Sequence, residues 1–476
     1  MSAQKPALAV VVPLWIAVLA LAGCGVADPP RPDVLLVTID TLRADWVHAY
    51  GFERETTPRI DGLAARGVLF ENAIAAATLT APAHASMMTS RYARQHSIGT
   101  LNGETKLAGI ETLAERFRAG GYETAAFVSN VVLRRRSGLD LGFDVYDDEL
   151  VAGEQNRRAY FERVAADTAA RALAWIEGRG AKPVFVWLHL QDPHGPYTPP
   201  DEYRGRLGEV PLRLTRPLEV LADNTGQAGI PAYQVLGDER APAVYAARYG
   251  EELLYADHAV GDVVDAIELH AADRGSVVLL TADHGESMGE QGWYFQHGHA
   301  TTPDLARVPF IVVAPGVTPR RVSGLVSHVD IAPTLLELAG LPALAEPSGR
   351  SLADLVRGAP EAGARAVFSD TEGEAAVYLP GRMTRIAGGL ASDRKLVPSR
   401  PTQIQTLEWE AEGSWRIAET DENDVQQLLL YLEQPAPLVA AEAMTPEHVE
   451  QLRALGYLPP EPDDAQRPTP EPGHPE

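Results

Sequence analysis

The strongest constraint on this chain is a rhythm. Short runs of apolar, largely β-branched or aromatic residues alternate with longer stretches of helical period, and most of the runs end in polar side chains. The runs are Asp33 to Ile39, Thr124 to Ser129, Val184 to Leu190, Val277 to Thr281 and Phe310 to Val313. They are short enough for strands and too continuously apolar for strands with one wet face, which is how strands buried under helices read. Between them, Thr57 and Pro58 open a helix that Gly67 closes, and from about Ala241 to Ala272 the residues Leu253, Val260, Val263, Val264 and Ile267 share one helical face. Asp330 reads as the N-cap of a helix over Ile331 to Leu338, with Gly340 just past its end. The alternation predicts an α/β fold with a mostly parallel central sheet. Such a sheet binds its ligand beyond the carboxyl ends of its strands, where this chain has Asp40 and Thr41, Asn130, Gln191 to His194, and Asp283 to Glu286.

The 476 residues make about two to three domains' worth of chain, or one large α/β unit with an appendage. Beyond about Ala343 the rhythm weakens, and Arg365 to Leu432 breaks into shorter alternating pieces that predict a small antiparallel α+β subdomain. Arg204 to Pro242, rich in Pro and Gly, reads as a long insertion near the site, and 459–476 reads as a disordered Pro- and acid-rich tail. With 65 acidic residues against 41 basic ones, the net charge of -24 excludes a nucleic-acid partner, because phosphate backbones need clustered Lys and Arg.

The N-terminus carries an export signal. Lys5 precedes an unbroken small and apolar run from Ala7 to Gly23, too short and Ala-rich for a comfortable membrane span. Leu21, Ala22, Gly23 and Cys24 resemble the lipobox of bacterial lipoproteins, and Cys24 is the single cysteine of the chain. Residues 1–23 are therefore expected to be a cleaved lipoprotein signal, with Cys24 lipidated. That implies a lipid-anchored protein of the bacterial cell envelope, on its periplasmic or outer-surface side. A mature body without a second thiol cannot form an internal disulfide.

Three places carry chemistry. Asp40 ends a buried strand, a cheap position for a ligand. Thr80 precedes the helical run Ala83 to Thr89, so it lies near a helix N-terminus that favours an oxyanion. Asp283 and His284 leave another strand ahead of Gly289, Gly292, His297, Gly298 and His299. Adjacent Asp and His can hold one divalent ion, and glycines let the chain turn tightly around it.

At this point the chain resembles bacterial sulfatase-type members of the alkaline phosphatase superfamily. The resemblance is carried in order by Asp40 to Arg43 and Asp45; Thr57 and Pro58; Phe70 to Asn72; Pro82 and His84 to Ser86; and Gly142 to Asp144. It continues through Asp192 to His194, Pro196, Tyr197 and Pro200, then Asp283 to Glu286, and Arg307 to Pro309 through Gly316. It covers residues 33–341, which become the expected catalytic domain, with 342–458 as the C-terminal subdomain. It implies an alkaline phosphatase-like αβα sandwich and one divalent metal ion on Asp40, Asp283 and His284, with Thr80 as a further contact and nucleophile. Zn, Mn or Ca, and also Mg, suit these ligands. His194 and His297 match positions that touch the transferred group or protonate the leaving oxygen, and His84, Asn130 and His299 are expected to contact substrate.

The departures matter as much. Sulfate-cleaving relatives convert a Cys or Ser in a CxPxR frame to formylglycine, whereas this chain has Thr80, Ala81, Pro82, Ala83 and His84; threonine cannot become that aldehyde. A Lys and His pair after the next strand is replaced by Val128, Ser129, Asn130 and Val131. The resemblance thus implies a hydrolase of sulfate or phosphate esters acting through a covalent Thr80 ester on a small-molecule, glycan or lipid-headgroup substrate. Two alternatives stay open: a transferase of phosphoethanolamine-type headgroups, and a non-catalytic binding protein on the same fold.

Overall fold

A computed structural model describes residues 31–434, apart from 97, 99–105, 108, 154–155, 157–160, 362, 372, 389–401 and 410–414. The leader with Cys24 and the tail from Pro459 lie outside the described residues. Strands β1 (Asp33–Ile39), β2 (Val68–Ile74), β3 (Glu123–Phe127), β4 (Val145–Asp147), β5 (Val184–Leu190), β6 (Ser276–Ala282), β7 (Arg307–Val308), β8 (Phe310–Val313) and β9 (Arg320–Ser327) form one sheet. Its order is β7-β2-β8-β6-β1-β5-β3-β4, with β9 beside β2. All seven residues of β1 and of β5 are buried, which explains their unbroken apolar sequence.

Register places the site. In the parallel ladders Ile39 lies opposite both Leu190 and Ala282, so Asp40, Gln191 and Asp283 leave the sheet at one level. β7 and β8 alone run against the other strands. Because β8 returns antiparallel beside β6, residues 283–309 begin and end at the carboxyl end of β6 and need no crossover.

Helices cover both faces. On one, α1 (Pro58–Arg66), α4 (Ala165–Glu177) and α5 (Pro242–His270) pack together; on the other, α2 (Thr80–Thr89), α3 (Leu113–Ala119) and α6 (Ile331–Leu338) do so. Among the described residues, no helix is long and apolar enough to cross a membrane.

The C-terminal part is antiparallel, as its shorter alternation predicts. β10 (Val367–Thr371), β11 (Glu374–Leu379), β12 (Arg382–Gly388), β13 (Thr402–Trp409) and β14 (Trp415–Ala418) pair in chain order, and α7 (Glu422–Leu432) packs on them. The two faces divide at period two: Ala375 and Val377 meet Leu428 and Tyr431 of α7, while Ala376 and Tyr378 meet Ile74, Ala306 and Leu325 of the main body.

Two sequence expectations need correction. The third strand spans Glu123–Phe127 rather than Thr124 to Ser129, and Asn130 follows it in a turn with its side chain accepting from Val132 N. Asp330 does not cap α6 with its side chain. It belongs to a 3-10 turn before α6, where its carboxylate accepts from Ser327 N and Arg350 N and pairs with Arg365. Sequence reading also passed over β2 and β9, whose charged or polar residues (Glu71, Asn72, Arg320, Arg321) interrupt the apolar run.

The start of α1 is capped from another helix. Asp257, buried in α5, accepts from Arg59 N at 2.9 Å and Ile60 N at 2.8 Å, while burial pushes its carboxyl up to about 7. Replacing it leaves two amides of the first helical turn, one of them buried, without their acceptor. Asp257→Ala is expected to lower unfolding free energy by about 1–3 kcal/mol, with Asp257→Asn costing less; urea denaturation measures both.

Candidate active site

Three strand ends and one helix start converge. Asp40 follows β1, and Asn130 donates from Nδ2 to its Oδ2 at 2.8 Å. Asp283 follows β6, and its Oδ1 accepts from Thr41 N at 3.1 Å and His284 N at 2.8 Å. One oxygen of each acid is thus used. The others, Asp40 Oδ1 and Asp283 Oδ2, are buried with no hydrogen-bond partner.

His284 points into the same gap. Its Nδ1 lies 2.9 Å from Gly285 O, an acceptor, so Nδ1 carries the proton and Nε2 presents a lone pair. That Nε2 is 3.4 Å from Asp283 Oδ2, 3.9 Å from Asp40 Oδ1 and 3.3 Å from Thr80 Oγ1. Gly285 is required here: a Cβ would sit 2.0 Å from Asp304 O. One ligand atom from each of Asp40, Asp283 and His284 lies within 4.8 Å of the others. Two unmatched carboxylate oxygens beside an imidazole lone pair form a donor set that fits a divalent cation.

Thr80 opens α2, a helix buried along nearly its whole length. Its hydroxyl therefore sits where the first-turn amides and the helix dipole favour negative charge. On the other side of His284, the His297 ring stacks with a centroid separation of 4.4 Å, and His194 lies 5.2 Å from His297. Asp40, Thr80, His194, Asp283, His284 and His297 are thus brought together, as the sequence predicts. The 204–242 segment does approach this edge: Tyr233 and Gln234 both donate to Phe295 O, two residues before His297.

Three expected substrate contacts are placed otherwise. His84 donates from Nδ1 to Thr80 O at 2.8 Å, and its Nε2 accepts from Thr38 Oγ1 at 3.0 Å, which in turn accepts from Trp187 Nε1. Both ring nitrogens are occupied, and burial holds the ring down to about 3. It is a neutral strut under Thr80, not a cation facing substrate. For the same reason the second nearby group of possible ligands, His84, His189 and Asp283, offers no free His84 nitrogen. Asn130 is committed at both ends of its amide, to Asp40 and Val132. His299 stacks on Trp293 at 4.0 Å and meets Ser287 Oγ, after a turn through Gly298 at φ +75°.

Sequence reading missed three buried groups. Glu286 has neither carboxylate oxygen hydrogen-bonded and lies 3.4 Å from His297 Nδ1; burial pushes it up to about 8. His189, on β5, places Nε2 3.6 Å from Asp40 Oδ2. His328 accepts from Ala76 N and lies 2.9 Å from Ala282 O, tying the segment before Thr80 to the end of β6. A signal existed for Glu286, which belongs to the polar block after β6. Single histidines inside apolar runs gave none.

Burial also raises Asp40, to about 6, against the opposing pulls of His284 and Asn130. An acid whose folded pKa exceeds its unfolded one binds its proton more tightly when folded. Its stabilising contribution is therefore present at low pH and lost as pH rises through the folded value. Between about pH 4 and pH 8 the melting temperature of chelator-treated protein is expected to fall through Asp40 and Glu286. Added Mn or Zn is expected to remove most of that slope in a calorimetric pH series.

The family model described as Sulfatase matches residues 32–341. A delta 4,5-hexuronate-2-O-sulfatase of Bacteroides thetaiotaomicron is 27% identical over 397 residues, covering 77% of this chain and 81% of that protein. Among solved structures, a phosphonate monoester hydrolase from Silicibacter pomeroyi superposes with a TM-score of 0.64 at 20% identity, over 84% of this chain and 94% of the other. The phosphonate monoester hydrolase of Agrobacterium radiobacter gives 0.61 at 20% identity, over 79% and 89%.

Proposed function

Because the chain belongs to the sulfatase family and is a hydrolase of sulfuric or phosphoric esters, we propose that it acts through Thr80, with one divalent ion held by Asp40, Asp283 and His284. The observation that carries this reading is the Thr80 hydroxyl 3.3 Å from His284 Nε2, the same nitrogen that lies 3.4 and 3.9 Å from two carboxylate oxygens without partners. When bound, the ion supplies Lewis acidity that lowers the hydroxyl's pKa and neutralises oxyanion charge.

The chain's own groups do the rest. His84 and the first turn of α2 hold Thr80, whose Oγ1 gives its proton to solvent and attacks phosphorus or sulfur in line as the bond to the leaving oxygen breaks. His297 or His194 gives that oxygen its proton. Water, passing a proton back to that histidine, then attacks the central atom of the Thr80 ester and breaks its bond to Oγ1, which takes up a proton from solvent as the anion leaves. Formylglycine hydrate can instead expel sulfate through its second hydroxyl, but Thr80 has one oxygen only. The second attack is easier at phosphorus, so a phosphate mono- or diester is the proposed preference. The relative named for a hexuronate sulfatase supports a saccharide as the organic part.

On metal-loaded protein, kcat/KM for 4-nitrophenyl phosphate or its diester is expected to exceed that for the sulfate. Thr80→Ala is expected to lose at least about a thousandfold, consistent with removal of a nucleophile, and Asp283→Ala should lose both metal and activity. Multiple turnovers on sulfate with an advantage of about tenfold or more, roughly 1.4 kcal/mol, would overturn the phosphate preference; full metal occupancy in Asp283→Ala would overturn the ligand set.

We also propose that Cys24 carries a lipid that tethers the protein to an envelope membrane. Cys24→Ala should release the protein from washed membranes. Retention of the variant with its leader cleaved as before contradicts the anchor.

A further inference from the structure

One hairpin of the C-terminal sheet touches both halves of the candidate site. Asp370 in β10 donates from its backbone to Ala76 O at 3.0 Å and accepts from Thr78 N at 3.1 Å. It thereby extends a strand-like pairing to the segment that leads into Thr80. The neighbouring Thr371 donates its hydroxyl to Gly298 O. Opposite it in β11, Glu374 Oε1 accepts from both Thr301 N and Thr301 Oγ1 at 2.7 Å. Tyr378, further along β11, donates to Thr301 O. The segment directly after His297 is therefore tied at Gly298 and Thr301 to the strand pair that holds the approach to Thr80.

Glu374 is the costly member of this set. It is a buried carboxylate, 5% exposed, whose charge is met by Arg385 at 3.2 Å. A charge kept in such a place needs all its partners, and its Oε1 takes two hydrogen bonds from Thr301 beside the one from Arg385. The rest of β11 faces two apolar clusters, so Glu374 is its one buried acid, shared between Thr301 and Arg385.

We propose that Glu374, together with Thr371, is a positioning residue: the β10–β11 hairpin sets where His297 stands relative to Thr80, and so how well the leaving oxygen is protonated. This rests on the hydrolase reading above. Loosening the loop leaves attack by Thr80 in place and weakens only the help given to the leaving group. Esters whose leaving oxygen departs without a proton then feel little, while those with a basic leaving oxygen feel much, because small misplacements of a catalytic group are expensive.

The experiment compares kcat for 4-nitrophenyl phosphate and ethyl phosphate on metal-loaded full-length protein. In Glu374→Leu the ethyl ester is expected to lose about thirtyfold and the nitrophenyl ester less than about threefold, within the range that a placed acid contributes. Glu374→Gln, which keeps an acceptor for Thr301, should recover most of the ethyl-ester rate. Thr371→Val should shift the ratio in the same direction, and supplies the measurement if Glu374→Leu does not fold. Equal losses on both esters, or no loss on either, overturn the inference while leaving the hydrolase reading intact. If the wild-type protein turns over neither phosphate, the same pair is compared as sulfates; a protein that turns over neither class of ester overturns that reading and this inference with it.

Discussion

Two carboxylates, Asp40 and Asp283, emerge from adjacent strands at one level, each with one oxygen satisfied and one left bare in the interior. Carboxylates removed from water are costly unless a cation or hydrogen-bond donors meet their charge. Among the described residues no arginine or lysine hydrogen-bonds to either acid. Three of the nearby imidazoles do not supply the charge, since burial keeps His84, His189 and His328 neutral in the ordinary pH range. The arrangement is consistent with a site that reserves its compensation for a bound cation, which is the basis of the proposed metal requirement.

The neighbouring architecture keeps that unfavourable cluster in place. Tyr249, from α5, donates to Thr41 O and accepts from Arg43 N, pinning the turn after Asp40. Thr41 itself is held at φ 55°, a left-handed conformation that a β-branched residue adopts only under constraint. Arg43 crosses to the other strand end, donating to Glu286 O at 2.9 Å and pairing with Glu290 and Asp45. Thr80 is braced from below by the Trp187–Thr38–His84 chain and from the side by His328 acting on Ala76. The acids, the hydroxyl and the histidine loop are thus positioned by separate parts of the protein, whose mutual placement comes from the sheet.

The antiparallel return of β8 explains why so much chemistry fits into one connection. A parallel successor to β6 would have required a crossover and taken the chain away from the carboxyl ends. The return keeps His284, Glu286 and His297 at one end of the sheet and lets the C-terminal sheet pack against that same connection through Thr301. The sheet carries the stability and the connections carry the polar groups of the candidate site.

Several of these features were legible in the sequence. Strands buried on both faces must be apolar throughout, so β1, β5 and β8 appear with their ends where the structure has them, and polar side chains follow the strands at predictable places, so Asp40, Asp283 and His284 could be named as candidates. Thr80 was visible because Pro82 and the run after it announce a helix. What the sequence could not supply was direction and partnership. His84, Asn130 and His299 are polar residues in the right blocks, yet their orientation depends on Thr38, Asp40 and Trp293, which are respectively 46, 90 and 6 residues away in the chain. Glu374 lies in another sheet altogether, 73 residues from the Thr301 it holds. Local sequence records which residues a strand or helix start can present, because periodicity and capping are short-range effects; which atom each side chain meets is settled only when distant segments are packed and every buried donor and acceptor must find its partner.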